Sequence, residues 1–253
     1  MNKTFLFLTA LFSPLALAQS CQEQDQKIAQ AYSEMVEFGS YSSSSEWDKF
    51  EPAYKRFYDL LPTYLARPDS AWCDFTQTKR AGVKIRQSDD KKIRTFSWDK
   101  ETGGTLHEFD SLWQYQDQKG NWKLKEGEGQ NIIQIFTANL NNKTYYWLVE
   151  YSIAFGRLNG TSATLYQIND ELEPAKLIKT STLTHQIGYS FDPSSEYDVD
   201  FEKRNNDILY DDKSKVLSFP VIIQTKEYEY GKVTKKRIRY QFDGKYFVRQ
   251  TNK

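Results

Sequence analysis

Three patterns of apolar and polar positions succeed one another along the chain. The first is short. Phe5 to Phe12 is apolar except for Thr9, with Lys3 before it and Pro14 after it. Ala16-Leu17-Ala18 then supplies the small-x-small spacing that signal peptidase reads. Residues 1–18 are therefore expected to be a cleaved secretory signal, with the mature chain opening at Gln19. A permanent span needs about 20 apolar residues. No other segment offers them, so no membrane span is expected.

The second pattern is helical. Ile28, Tyr32, Met35 and Val36 recur at three- and four-residue spacing among polar residues, and Gly39 supplies a stop. After a run of serines, Ser45 is placed to cap a second helix. There Trp47, Phe50, Tyr54 and Phe57 form one aromatic stripe, expected to pack against the rest of the fold. A further helix over Pro62 to Ala66 precedes the break at Arg67-Pro68-Asp69.

From Ala71 the period changes to two. Turn signals punctuate the rest of the chain, among them Asn141-Asn142, Asn159-Gly160 and Asp243-Gly244. The last is expected to pair Tyr240 with Phe247. Tyr145, Trp147, Val149 and Tyr151 alternate with Tyr146 and Leu148, so that strand is expected to be covered on both faces. No βαβ rhythm appears, which argues against a parallel sheet. The spacing predicts roughly ten to thirteen antiparallel strands. The fold class is therefore α+β: a helical segment at 19–70, then an antiparallel β-domain at 71–253, built as a sandwich, a curved sheet or a barrel.

Composition narrows the function classes. The 34 basic residues balance 34 acidic ones, which argues against a nucleic-acid partner. The only two cysteines of an exported chain, Cys21 and Cys73, are expected to form one disulfide. Closing about 50 residues, such a bridge contributes roughly 4 kcal/mol by loop entropy. Lipidation of Cys21 is the rival reading, but Ala18 and Gln19 fit a lipobox poorly, and Cys73 would then be left a lone thiol. Aromatic residues make up 15%, which suits either pleated surfaces or a sugar-stacking face.

One loop gathers candidate chemistry: S-W-D-K-E-T-G-G-T-L-H-E-F, Ser97 to Phe109. Asp99 is placed to accept backbone N–H bonds in an Asx-turn, and Gly103 and Gly104 are expected to supply positive φ. Alternation would set His107 on one face with Phe109, Trp113 and Tyr115, where a packed histidine is commoner than a catalytic one. If the loop binds anything, Trp98, Asp99 and His107 are the binding residues. The same residues, S-W-D-K-E-T-G-G-T followed by L-H-E-F-D, resemble a signature of uncharacterised exported proteins of Gram-negative bacteria. That resemblance implies the compartment and no activity.

Other chemistry is sparse. His107 and His185 stand 78 positions apart, too few ligands for a zinc site. Asp198, Asp200 and Glu202 alternate on one predicted strand face and form a weak calcium candidate without EF-hand spacing. G-x-S-x-G and H-E-x-x-H are absent, and the S-x-x-K of Ser88 to Lys91 falls in a polar turn. No catalytic residue, metal or cofactor is assigned. The expectation is a periplasmic or secreted binding protein of the cell envelope, with an envelope protein or a glycan as partner and no indication of oligomeric state. The alternative is a glycan hydrolase working through paired carboxylates.

Overall fold

The apolar stripes of the helices and the faces of three sheets stack into four layers. A computed structural model describes residues 14–127, 129–156, 158–195 and 207–251. The helical layer comprises α1 (Pro14–Phe38), α2 (Trp47–Leu65), a 3-10 turn at Pro68–Trp72 and α3 (Thr76–Ala81). The strands begin with β1 (Lys84–Gln87), β2 (Ile93–Asp99), β3 (Phe109–Gln116) and β4 (Trp122–Gly127). β5 (Ile132–Leu140), β6 (Lys143–Phe155), β7 (Leu158–Ile168) and β8 (Leu172–Pro174) follow. Next come β9 (Ile178–Lys179), β10 (Leu183–Thr184), β11 (Gln186–Phe191) and β12 (Leu209–Asp211). β13 (Val216–Ile223), β14 (Lys232–Phe242) and β15 (Phe247–Arg249) complete the set.

Three sheets result: β1-β2-β3-β4, then β11-β7-β6-β5 with β8 beside β7, then β10-β9-β15-β14-β13-β12. The helices bury Ile28, Tyr32, Met35, Phe50, Phe57 and Leu61 against Phe96, Trp98 and Leu112 of the first sheet. The other face of that sheet, through Ile93, Trp113 and Tyr115, meets Tyr146, Leu148 and Tyr166 of the second. The second sheet then turns Tyr145, Trp147, Val149 and Leu165 onto Leu217, Tyr240 and Phe247 of the third. β6 is thus apolar on both faces because its sheet lies between the first and the third, as its sequence predicts.

The helical elements run on to Ala81, past the change of period at Ala71. α2 begins at Trp47 after Glu46 in extended backbone, so Ser45 is not the cap. It continues through Pro62 as one helix, not two. A proline there removes a single helical N–H, the one that would reach the carbonyl of Tyr58.

The described strands number fifteen, several of only two or three residues. All pair antiparallel except β15 with β9. Asn141 and Asn142 both take positive φ, the two-residue turn their sequence signals. Asn159-Gly160 is not a turn. Both residues lie inside β7, opposite Ile153 and Ser152. The Asn159 amide is buried and donates to the Tyr151 hydroxyl at 2.5 Å, which holds that register. In the last hairpin Phe247 faces Phe242, two positions from the expected Tyr240. The turn is longer because Asp243 accepts the N–H groups of Lys245 and Tyr246, each at 2.8 Å. A slip of two keeps the same face inward, so the core composition is unchanged.

Three ties fasten the helical layer. Cys21 and Cys73 are bonded across 52 positions. The Asp25 carboxylate, buried on α1, accepts the N–H groups of Gln77 and Thr78 at 2.8 Å each and the Thr78 hydroxyl at 2.7 Å. The Arg94 guanidinium on β2 is 5% exposed. It donates at 2.7 Å to the carbonyls of Ser70 and Cys73 and to the Gln114 side chain. It also lies over the rings of Phe75 and Phe96. Among the described residues no helix is long and apolar enough to cross a membrane.

Candidate functional site

A cleft of about 400 Å³ opens between α2 and the first sheet. Phe57, Leu61, Trp98 and Leu112 form its apolar floor, and all four are buried. Tyr58, Pro62, Asp110, Glu126 and Gly129 form its rim. Helical spacing brings Phe57, Tyr58, Leu61 and Pro62 to one side of α2. On the sheet, Trp98 faces Asp110 across β2–β3, and Leu112 faces Glu126 across β3–β4. Gly127 closes the wall. A methyl group there would lie 2.2 Å from the Ser111 hydroxyl and 2.4 Å from the Trp113 indole nitrogen, so only glycine fits this close approach.

The polar groups of the cleft form a relay. The indole N–H of Trp98 donates to the Tyr58 hydroxyl at 3.0 Å, and that hydroxyl donates to Asp110 at 2.5 Å. Trp98 is 4% exposed, so its edge is committed to this relay and to the T-shaped packing against Phe57 and Tyr58. Burial, reinforced by the hydrogen bond to Asp110, pushes the Tyr58 phenol far above the ordinary tyrosine range. Ser111 donates to the carbonyl of Gly127 at 2.8 Å and accepts the Trp113 indole N–H at 3.0 Å.

Asp99 and His107 form a second cluster, and neither lines this cleft. Asp99 accepts the N–H of Glu101 at 2.9 Å, the Asx-turn its position predicts. Its other oxygen meets His107 Nδ1 at 2.5 Å. His107 precedes β3 instead of alternating with Trp113 and Tyr115. It stacks on Tyr41 at 4.5 Å, within the loop that joins the two long helices. Positive φ falls on Glu101 and not on the two glycines. Gly103 serves close approach: a methyl there would lie 2.0 Å from the Leu106 carbonyl and 2.5 Å from the Tyr41 hydroxyl. Ser40 donates to the Gly103 carbonyl at 2.7 Å and Tyr41 to that of Leu106 at 3.1 Å. The cluster is thus a clasp between two loops.

Of the predicted binding residues, Trp98 alone reaches the cleft, while Asp99 and His107 come together beside it in the chain. The calcium candidate Asp198, Asp200 and Glu202 lies outside the described residues. Tyr58, Asp110 and Glu126 escape the sequence reading. Tyr58 sits four positions after Tyr54 and stacks on it at 4.2 Å, a spacing that could have revealed it.

Glu101 gives the clasp a pH dependence. Burial, helped by the neighbouring Asp99 charge, raises its carboxyl to about 7. A carboxyl raised in the folded state contributes its stability fully below the unfolded value of 4.5 and loses it as pH rises through about 7. The side chain is only partly buried, so solvent screening holds the loss to ~1 to 2 kcal/mol. Glu101→Gln should flatten this slope and leave the protein more stable than wild type at pH 8, by the same amount. Urea melts at pH 4.5, 6 and 8 would check it, and parallel slopes for the two proteins would refute it.

Comparison with protein-family models, with curated proteins and with solved structures finds no match to this chain.

Proposed function

We propose that this chain is an exported, non-catalytic binding protein of the bacterial cell envelope, and that its ligand seats in the cleft between α2 and the first sheet. The N-terminal pattern of charge, apolar run and small residues supports export, and so does the single disulfide. One observation carries the binding reading. The cleft is a concave, apolar-floored site with a few converging polar groups at its rim, the usual form of a ligand site.

The same residues speak against a hydrolase. A glycosidase needs a carboxyl held in its acid form beside a second carboxylate. The two described carboxylates lining the cleft are Asp110, which accepts the Tyr58 hydroxyl, and Glu126, which is exposed. Ser111 is committed to Gly127 and Trp113, and no histidine is among the described lining residues.

Pro62→Trp tests the site. It restores a helical N–H to α2 while placing an indole across the mouth. The variant should melt no lower than wild type and should lose the thermal shift that a bound ligand gives. A ligand at one hundred times its dissociation constant adds about 2.7 kcal/mol, a readily visible shift. A ligand panel that stabilises both proteins equally would place binding elsewhere.

A further inference from the structure

Resting on that cleft reading, we infer that the occupant is an arginine or lysine side chain of a protein partner. The balance of donors and acceptors carries the inference. Charged residues lining the cleft are Asp110 and Glu126, with no lysine, arginine or histidine among the described lining residues. Each side-chain donor there is already committed: Trp98 to Tyr58, Tyr58 to Asp110, Ser111 to Gly127. A ligand's carbonyl, carboxylate or phosphate therefore meets no side-chain donor.

Acceptors are in the opposite condition. Glu126 is exposed at the rim. Asp110 takes the Tyr58 hydroxyl on one oxygen, leaving the second to face other donors. Pro62 deprives the Tyr58 carbonyl of its helical donor. Lys100 lies close enough to Asp110 to feel its charge, but its ammonium is held by Glu108 at 3.0 Å.

A ligand matched to this set has an apolar stem and a head that only donates. Lysine offers three donors and arginine five, with no acceptor on either. Their methylenes suit the apolar surface that Tyr58, Pro62 and Leu112 present, and a cation near the Tyr58 ring gains further attraction. A sugar ring, with as many acceptors as donors, would leave acceptors unmatched. The polypeptide source follows from the size: the site measures about 400 Å³, room for a long side chain together with part of its backbone.

The test uses the full mature, oxidised chain and blocked alanine-based hexapeptides carrying one central arginine, lysine, norleucine or glutamate, titrated by calorimetry. The arginine and lysine peptides should bind, and the norleucine and glutamate peptides should not. Glu126→Gln, an exposed change that spares the fold, should weaken binding about tenfold, and higher salt should weaken it further. Pro62→Trp should abolish it.

Binding of the norleucine peptide or an oligosaccharide, lost in Pro62→Trp, would overturn the cationic assignment and keep the cleft. N-acetyl-arginine amide binding as tightly as the peptide would overturn the protein partner. Peptide binding that Pro62→Trp leaves untouched would overturn the cleft reading itself.

Discussion

Arg94→Met should destabilise the protein by about 4 kcal/mol. The substitution keeps much of the side-chain volume but strands three buried acceptors, the carbonyls of Ser70 and Cys73 and the Gln114 side chain. A charged hydrogen bond contributes ~1.5 to 3 kcal/mol, and removing one partner of a buried charged network costs ~3 to 5 kcal/mol in all. Burial pulls the guanidinium down to about 10, so it is still charged at neutral pH. Arg94→Lys should recover little, because one ammonium cannot span acceptors that a planar fork reaches together. Urea melts with an unchanged slope would give the value. A loss near 1 kcal/mol would mean that water fills the gap and that the tie between the 3-10 turn and the first sheet is weak.

The second large effect belongs to the disulfide. Cys21→Ser with Cys73→Ser should cost about 4 kcal/mol, from loop entropy over the 52 positions it spans. At this size that corresponds to a fall of roughly 10 °C in melting temperature. The Asp25 cluster one turn along α1 should keep the helices docked, so the folded form should survive with its far-ultraviolet dichroism unchanged. Calorimetry of the double variant, compared with the oxidised parent, would decide it. A fall of 2 °C or less would mean that Asp25 and its partners already restrict the unfolded chain as the bridge does.

Much of the fold was legible because its causes are local. The alternation around Trp147 announces a strand covered on both faces. The pair Asn141-Asn142 takes the two positive φ values its turn needs. Asp99 closes its Asx-turn over two residues. What escaped depends on distant partners. Asn159-Gly160 has turn chemistry, yet the amide of Asn159 finds a buried hydroxyl on the neighbouring strand and is drawn into the sheet. Gly103 looks like a source of positive φ and is instead required by Tyr41, a residue from the other side of the clasp.

The cleft was hidden for the same reason. Its residues come from α2, from β2, from β3 and from the end of β4. Trp98 could be singled out as an aromatic residue in an unusual loop. No pattern within one segment could say that Tyr58 would receive its N–H and pass a proton bond to Asp110.

The place of β15 bears on how the chain comes to its final form. In order of synthesis it is the last strand described, yet it lies inside the third sheet, between β9 and β14. Phe247 is fully buried against Trp147, and its neighbour across the parallel pair is Ile178. While earlier segments emerge from the ribosome, β9 and β10 have nothing to join them to the β12–β14 ladder. The third layer cannot close over the second until Phe247 arrives. Until then the face of β6 and β7 that packs on the third sheet stays incompletely covered. Pairings this distant in sequence also form slowly. The arrangement delays completion of the third layer until its central strand, the last one described, is in place.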